Sequence, residues 1–259
     1  MDGRIIMGRM TAGAPVIGAG RAARAMAAIA ALALASGCDR QAREVGAEPL
    51  PQPPYGEEED ADFDLWLDKL EVSSRELYAS REAVLAALKL DAGARVADIG
   101  AGTGIYSLLM SSVIGDDGVV YAVDIEPRFL TIVVQRVADL DLENVVAILS
   151  REDDVTLPPQ SVDVAFIADT YHYFADPEAL MLSVRQALTP GGRLYLVDYE
   201  FDARAAGDPS RDHIRFGKDQ LIDEIVGFGF EFRREPEVEG LSEFFLLEFE
   251  LPAEEEVTG

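Results

Sequence analysis

The chain has 259 residues, enough for one sizeable α/β domain with extensions, and 49% of them are hydrophobic, so a full core forms and global disorder is excluded. Its formal charge of −26, with no Lys/Arg cluster beyond scattered pairs, argues against a nucleic-acid partner, which needs a basic footprint. A single cysteine, Cys38, and two histidines, His172 and His213, exclude an internal disulfide, a thiolate metal site and a multi-histidine metal site.

The amino-terminal segment reads as an export signal. Arg4, Arg9, Arg21 and Arg24 precede the apolar run Ala25 to Leu34, too short to span a bilayer but suited to a signal-peptide core. Leu34-Ala35-Ser36-Gly37-Cys38 resembles the lipobox of bacterial lipoproteins, with Leu34 four rather than three positions before the cysteine. The resemblance implies removal of residues 1–37, lipidation of Cys38, and a domain held to the membrane only by its lipid anchor and facing the periplasm. A cytoplasmic location is the alternative. Residues 38–62, acidic and proline-rich, form an extended linker, and residues 63–259 form the folded domain.

Phe63 to Leu70 starts an apolar helical face that Leu77, Tyr78, Val84, Leu85 and Leu88 continue at three- and four-residue spacing. Tyr78 and Arg81 are candidates to cover a ligand. Arg95 to Ile99 then forms the first strand and passes into Asp98-Ile99-Gly100-Ala101-Gly102-Thr103-Gly104, followed by a helix from Ile105. Glycines at such a strand–turn–helix junction permit positive φ and close approach of a ligand to the main chain. A phosphate loop needs Gly-Lys-Ser/Thr at its end, and a dinucleotide fingerprint carries its third glycine one position later, where Ile105 stands. Asp98 would also repel a pyrophosphate, whereas it suits a ligand bearing an ammonium group.

This Asp-x-Gly-x-Gly-x-Gly pattern resembles the first motif of the class I S-adenosylmethionine-dependent methyltransferases. Asp124, with Ile125 behind it, ends the second strand (Val119 to Asp124); a carboxylate there can accept two hydrogen bonds from a ribose diol, or can cap the helix starting near Pro127. Asn144 to Leu149 is the third strand. In the family an acid four residues before a Leu-Pro pair receives the adenine amino group; Asp153 holds that place, with Asp154 beside it. The resemblance thus implies Asp98, Gly100, Ala101, Gly102 and Gly104 around the methionine part, Asp124 and Ile125 at the ribose, and Asp153 or Asp154 at the adenine.

Ser161 to Ala168 is a buried fourth strand that delivers Asp169-Thr170-Tyr171-His172-Tyr173-Phe174 to the ligand-binding edge of the sheet. Asp169, Tyr171 and His172 are the candidate catalytic residues, His172 as a general base near neutral pH. A histidine satisfied within the loop is the alternative. Pro177 to Leu188 is helical, and Thr189-Pro190-Gly191-Gly192 turns it into a fifth strand, Arg193 to Asp198. Leu-x-Pro-Gly-Gly before an apolar strand also resembles the corresponding turn of these methyltransferases. A polar loop from Glu200 to Phe216 contains His213. A helix from Lys218 to Val226 and an antiparallel hairpin, Phe230 to Arg233 and Phe244 to Phe249, complete the chain.

The expected architecture is a Rossmann-like α/β fold, a seven-stranded mostly parallel sheet with helices on both faces and a C-terminal antiparallel hairpin. The resemblance implies S-adenosyl-L-methionine as cofactor and methyl transfer to a small or amphipathic acceptor, and the cysteine and histidine counts lead to the expectation of no metal. A non-catalytic adenosyl-ligand-binding module of the same fold is the alternative. Nothing in the sequence sets the oligomeric state.

Overall fold

The computed structural model describes residues 63, 67, 70–73, 75–200 and 217–253. The expectations about Cys38, the signal and linker segments 1–37 and 38–62, and His213 lie outside these residues. Two short helices, α1 (Glu76–Ala79) and α2 (Arg81–Ala87), lead into β1 (Arg95–Ile99). There follow α3 (Ile105–Ile114), β2 (Val119–Asp124), α4 (Pro127–Asp139), β3 (Val145–Leu149) and β4 (Val162–Ala168). A 3₁₀ turn (Tyr171–Tyr173), α5 (Pro177–Ala187), β5 (Leu188–Tyr199), α6 (Lys218–Gly227), β6 (Glu231–Arg234) and β7 (Phe244–Glu250) complete it.

The seven strands form one sheet in the order β3-β2-β1-β4-β5-β7-β6. The first five are parallel, and β7 runs antiparallel to both β5 and β6. Side chains alternate across a strand, and each face has its own core. Ala97, Ile99, Val123, Ile167 and Leu196 face α5 and α6 through Met181, Val184, Leu221 and Ile225. Val96, Val120, Phe166, Tyr195 and Val197 face α2 and α3 through Leu85, Leu88, Leu108 and Met110. Burial on both faces is why the inner parallel strands β1, β2 and β4 read as near-continuous apolar runs.

The C-terminal pair is the expected hairpin, but β7 is its inner member. Phe244, Phe245, Leu246, Leu247 and Phe249 are buried, whereas β6 has mostly exposed side chains and takes the edge. The Thr189–Gly192 turn lies inside β5 rather than before it. Val162 pairs with Leu188 and Val164 with Arg193, so four residues of β5 stand against one of β4, an excess of three that loops out. Gly191 has φ of +76° there, and a Cβ on Gly192 would stand 2.7 Å from the Thr189 carbonyl oxygen.

Candidate functional site

A pocket opens where β1, β2, β3 and β4 end, between the Gly100–Gly104 turn and the 3₁₀ segment after β4. The order reversal at β1, with β2 on one side and β4 on the other, leaves a crevice at that edge.

The glycine turn is held in place by the chain's own hydrogen bonds. The Gly100 and Ala101 amides donate to the Val123 carbonyl at 2.8 and 3.0 Å, tying the turn to β2. Gly100, Gly102 and Gly104 have φ of +72°, +53° and +78°, conformations that favour glycine. A Cβ on Gly100 would stand 2.3 Å from Thr170 Cγ2. Gly104 does a different job. It is the N-cap of α3, its Cβ would meet Val133 of α4 at 2.8 Å, and it does not line the pocket.

Asp98, Gly100, Ala101, Gly102, Asp124 and Ile125 all line the pocket. Asp98 is buried and accepts a hydrogen bond from Ser107 Oγ on α3 at 2.5 Å. Burial, with the Asp124 charge nearby, pushes its carboxyl up to about 7 despite that donor. Asp124 Oδ2 accepts the Gly102 amide at 2.8 Å and Oδ1 the Glu126 amide at 2.9 Å. Burial raises it to about 6. The helix-cap alternative for Asp124 does not hold: Glu126 is the N-cap of α4 and accepts the Arg128 amide at 3.0 Å.

Asp153 and Asp154 are not brought to the pocket. The chain after β3 turns on itself through Arg151, whose guanidinium pairs with both acids. Asp154 also accepts the Thr156 amide at 2.7 Å. These contacts point both acids outward, and the acid of this segment that lines the pocket is Glu152.

The candidate catalytic residues also divide. Asp169 lines the pocket at the end of β4 with φ of +52°. Tyr171 is fully buried in the core on the α5 side. His172 is buried too, with Nδ1 2.7 Å from Asp198 Oδ1, so neither of these two contributes to the lining. The 3₁₀ turn rotates Tyr171 and His172 inward and leaves Tyr173 and Phe174 at the pocket. Tyr78 and Arg81 stack on each other, with the guanidinium 4.4 Å from the ring centroid, and do not line it.

From this part of the chain it is Arg75, not Tyr78 or Arg81, that reaches the pocket. Just before α1, it lines the pocket, pairs with Asp169 Oδ2, and donates from Nη1 to the Leu70 carbonyl at 3.2 Å. Burial opposes its charge, but the Asp169 carboxylate and the nearby Tyr199 and Tyr106 together offset this and hold its pKa above the usual value. No motif marks an arginine in this position.

The Methyltransferase domain family model matches residues 90–221. An uncharacterized methyltransferase of Mycobacterium tuberculosis is 34% identical over 135 residues, 48% of this chain and 52% of that protein. A demethylmenaquinone methyltransferase of Listeria monocytogenes is 26% identical over 118 residues, 46% of this chain and 50% of that one. The chain thus spans about half the length of the curated relatives it matches. Among solved structures, a SAM-dependent methyltransferase from Aquifex aeolicus aligns with a TM-score of 0.64 at 26% identity, over 72% of this chain and 97% of that one. A putative methyltransferase from Haloferax volcanii, solved with its Trm112 activator, aligns with the same TM-score at 17% identity, over 74% of this chain and 97% of that one.

Proposed function

This chain belongs to the methyltransferase-domain family, and on that premise we propose that it binds S-adenosyl-L-methionine and catalyses methyl transfer to a small or amphipathic acceptor. The observation that carries the reading is the Asp98–Gly102 turn with Asp124 beside it, all on one pocket. The residues fit the group. Cβ-free backbone at Gly102 allows close approach, Asp98 is placed for an ammonium, and Asp124 for a ribose diol. Ser150 and Glu152 take the adenine end in place of Asp153 and Asp154.

Bound there, S-adenosylmethionine supplies an electrophilic methyl on a sulfonium. This chain's residues then position and desolvate the acceptor, work that does not require a strong base in contact with it. Leu70, Leu77, Phe129, Tyr173 and Phe174 give the pocket an apolar wall, which favours an amphipathic acceptor over a nucleic acid. Incubating the full chain with methyl-labelled cofactor and an acceptor panel tests the reading. Label transfer lost in Asp98→Ala supports it, and no transfer to any acceptor by a protein that binds the cofactor favours a second reading. That second reading, an adenosyl-ligand-binding module without catalysis, is favoured by the withdrawal of His172 and Tyr171 from the pocket.

We also propose that Cys38 is lipidated and the domain faces the periplasm. Among the described residues no helix is long and apolar enough to cross a membrane. Incorporation of labelled palmitate that disappears in Cys38→Ala supports the anchor. Equal labelling of both, or none in the wild type, leaves the cytoplasmic alternative.

A further inference from the structure

Beside the pocket, three side chains with metal-ligating atoms converge. Asp169 follows β4, His172 sits in the 3₁₀ turn, and Asp198 lies near the end of β5. One ligand atom from each lies within 4.8 Å of the others. The three residues are 8%, 3% and 2% exposed, so solvent does little to screen them. His172 Nδ1 and Asp198 Oδ1 are 2.7 Å apart. Two ligands on adjacent corners of a transition metal, each about 2.1 Å from it, are roughly 3 Å apart, so a small displacement separates this pair from a coordinating one.

A second observation points the same way. Asp169 Oδ1 and Asp198 Oδ2 are both buried and have no hydrogen-bond donor among the described residues. A buried carboxylate oxygen without a partner is costly. Among the described residues the charge count also falls short: two carboxylates face one guanidinium, that of Arg75, which takes Asp169 Oδ2 and leaves Oδ1. With a neutral imidazole the group carries one uncompensated negative charge. Either a proton on His172 or a cation shared among the three residues supplies what is missing, and only a cation also serves both orphaned oxygens.

We propose that Asp169, His172 and Asp198 form a binding site for a divalent transition-metal ion next to the pocket. Two carboxylates and an imidazole suit manganese, iron, cobalt or zinc better than calcium, which takes oxygen ligands alone, or a thiophilic ion. Asp169 belongs to both the site and the pocket wall, so the ion's charge acts on an anionic oxygen of whatever the pocket admits. The site rests on these three residues and not on the cofactor, so its failure leaves the methyltransferase reading standing.

The test is titration of the chelator-treated full chain with Co²⁺, followed by visible absorption. The wild type is expected to bind one equivalent and develop ligand-field bands. Asp198→Asn and His172→Gln are expected to weaken binding at least about tenfold. Each variant is first shown by thermal circular dichroism to keep a cooperative transition. Should a variant fail to fold, the wild type alone decides: Zn²⁺ is expected to move the ¹⁵N resonances of the His172 imidazole. Absence of Co²⁺ binding, equal binding by folded variants, or an unmoved His172 resonance overturns the proposal. So does a doubly protonated His172 at pH 8 in metal-free protein that Zn²⁺ leaves unchanged, because a proton then balances the charge.

Discussion

The Asp124 carboxylate accepts the Gly102 amide at 2.8 Å, across 22 residues of sequence, and so joins the end of β2 to the turn after β1. The same acid that faces the pocket braces the loop forming the pocket's other wall. Asp124→Ala is therefore expected to lose ligand affinity and also free an amide at the turn. Asp124→Asn keeps an acceptor for that amide. By chemical denaturation Asn should cost less stability than Ala, with the difference on the order of 1 kcal/mol.

Gly100→Ala is expected to damage both fold and site. Its φ is +72° and the new Cβ would meet Thr170 at 2.3 Å, in a loop fixed at both ends. A loss of about 2–4 kcal/mol in urea unfolding is predicted from left-handed strain plus overpacking. Gly191→Ala separates the two causes. It has φ of +76° but no atom within 4 Å of its Cβ, so only the strain, about 1 kcal/mol, should appear.

Stability should fall as pH rises through the acidic range. Asp98 moves from 3.8 when unfolded to about 7 in the fold, and Asp124 from 3.8 to about 6. The folded state binds these protons more tightly than the unfolded chain. Their penalty is therefore absent below about pH 4, grows as pH rises, and is complete above about 7. Thermal melts between pH 5 and 8 should show a decline that flattens in Asp98→Asn. A cationic ligand at Asp98 reverses the preference for the proton, so its affinity should weaken as pH drops below about 7, by up to tenfold per unit.

Arg75 and Asp169 should behave as a pair. Their side chains are 17% and 4% exposed. Removing Arg75 alone leaves a buried carboxylate uncompensated, and about 3–5 kcal/mol is the expected cost. Arg75→Leu combined with Asp169→Asn should cost less than the sum of the two single changes, as a double-mutant cycle in denaturant would reveal.

Much of this molecule is legible along the chain because its signals are local. β1 and β2 run over the residues that their apolar patterns mark, and Asp98, Gly100 and Gly102 reach the pocket because strand, turn and helix are consecutive. What escaped depends on distant contacts. Arg75 meets Asp169 across 94 positions, and His172 meets Asp198 across 26, so neither partner carries a spacing to read. Register was hard for another reason. Glu152, Asp153 and Asp154 are chemically alike, and only the pairing of Arg151 with the latter two decides which acid faces inward. In the segment after β4, one tight turn reverses the roles of neighbours, burying His172 and presenting Tyr173.

Calorimetric titration of the full chain with S-adenosylmethionine and S-adenosylhomocysteine tests the central claim most directly. Wild type is compared with Asp98→Ala and Asp124→Ala. One-site binding of both compounds, lost or strongly weakened in each variant while the fold persists, is the predicted result. A folded wild type that binds neither compound, or variants that bind as well as wild type, would contradict the assignment of this pocket.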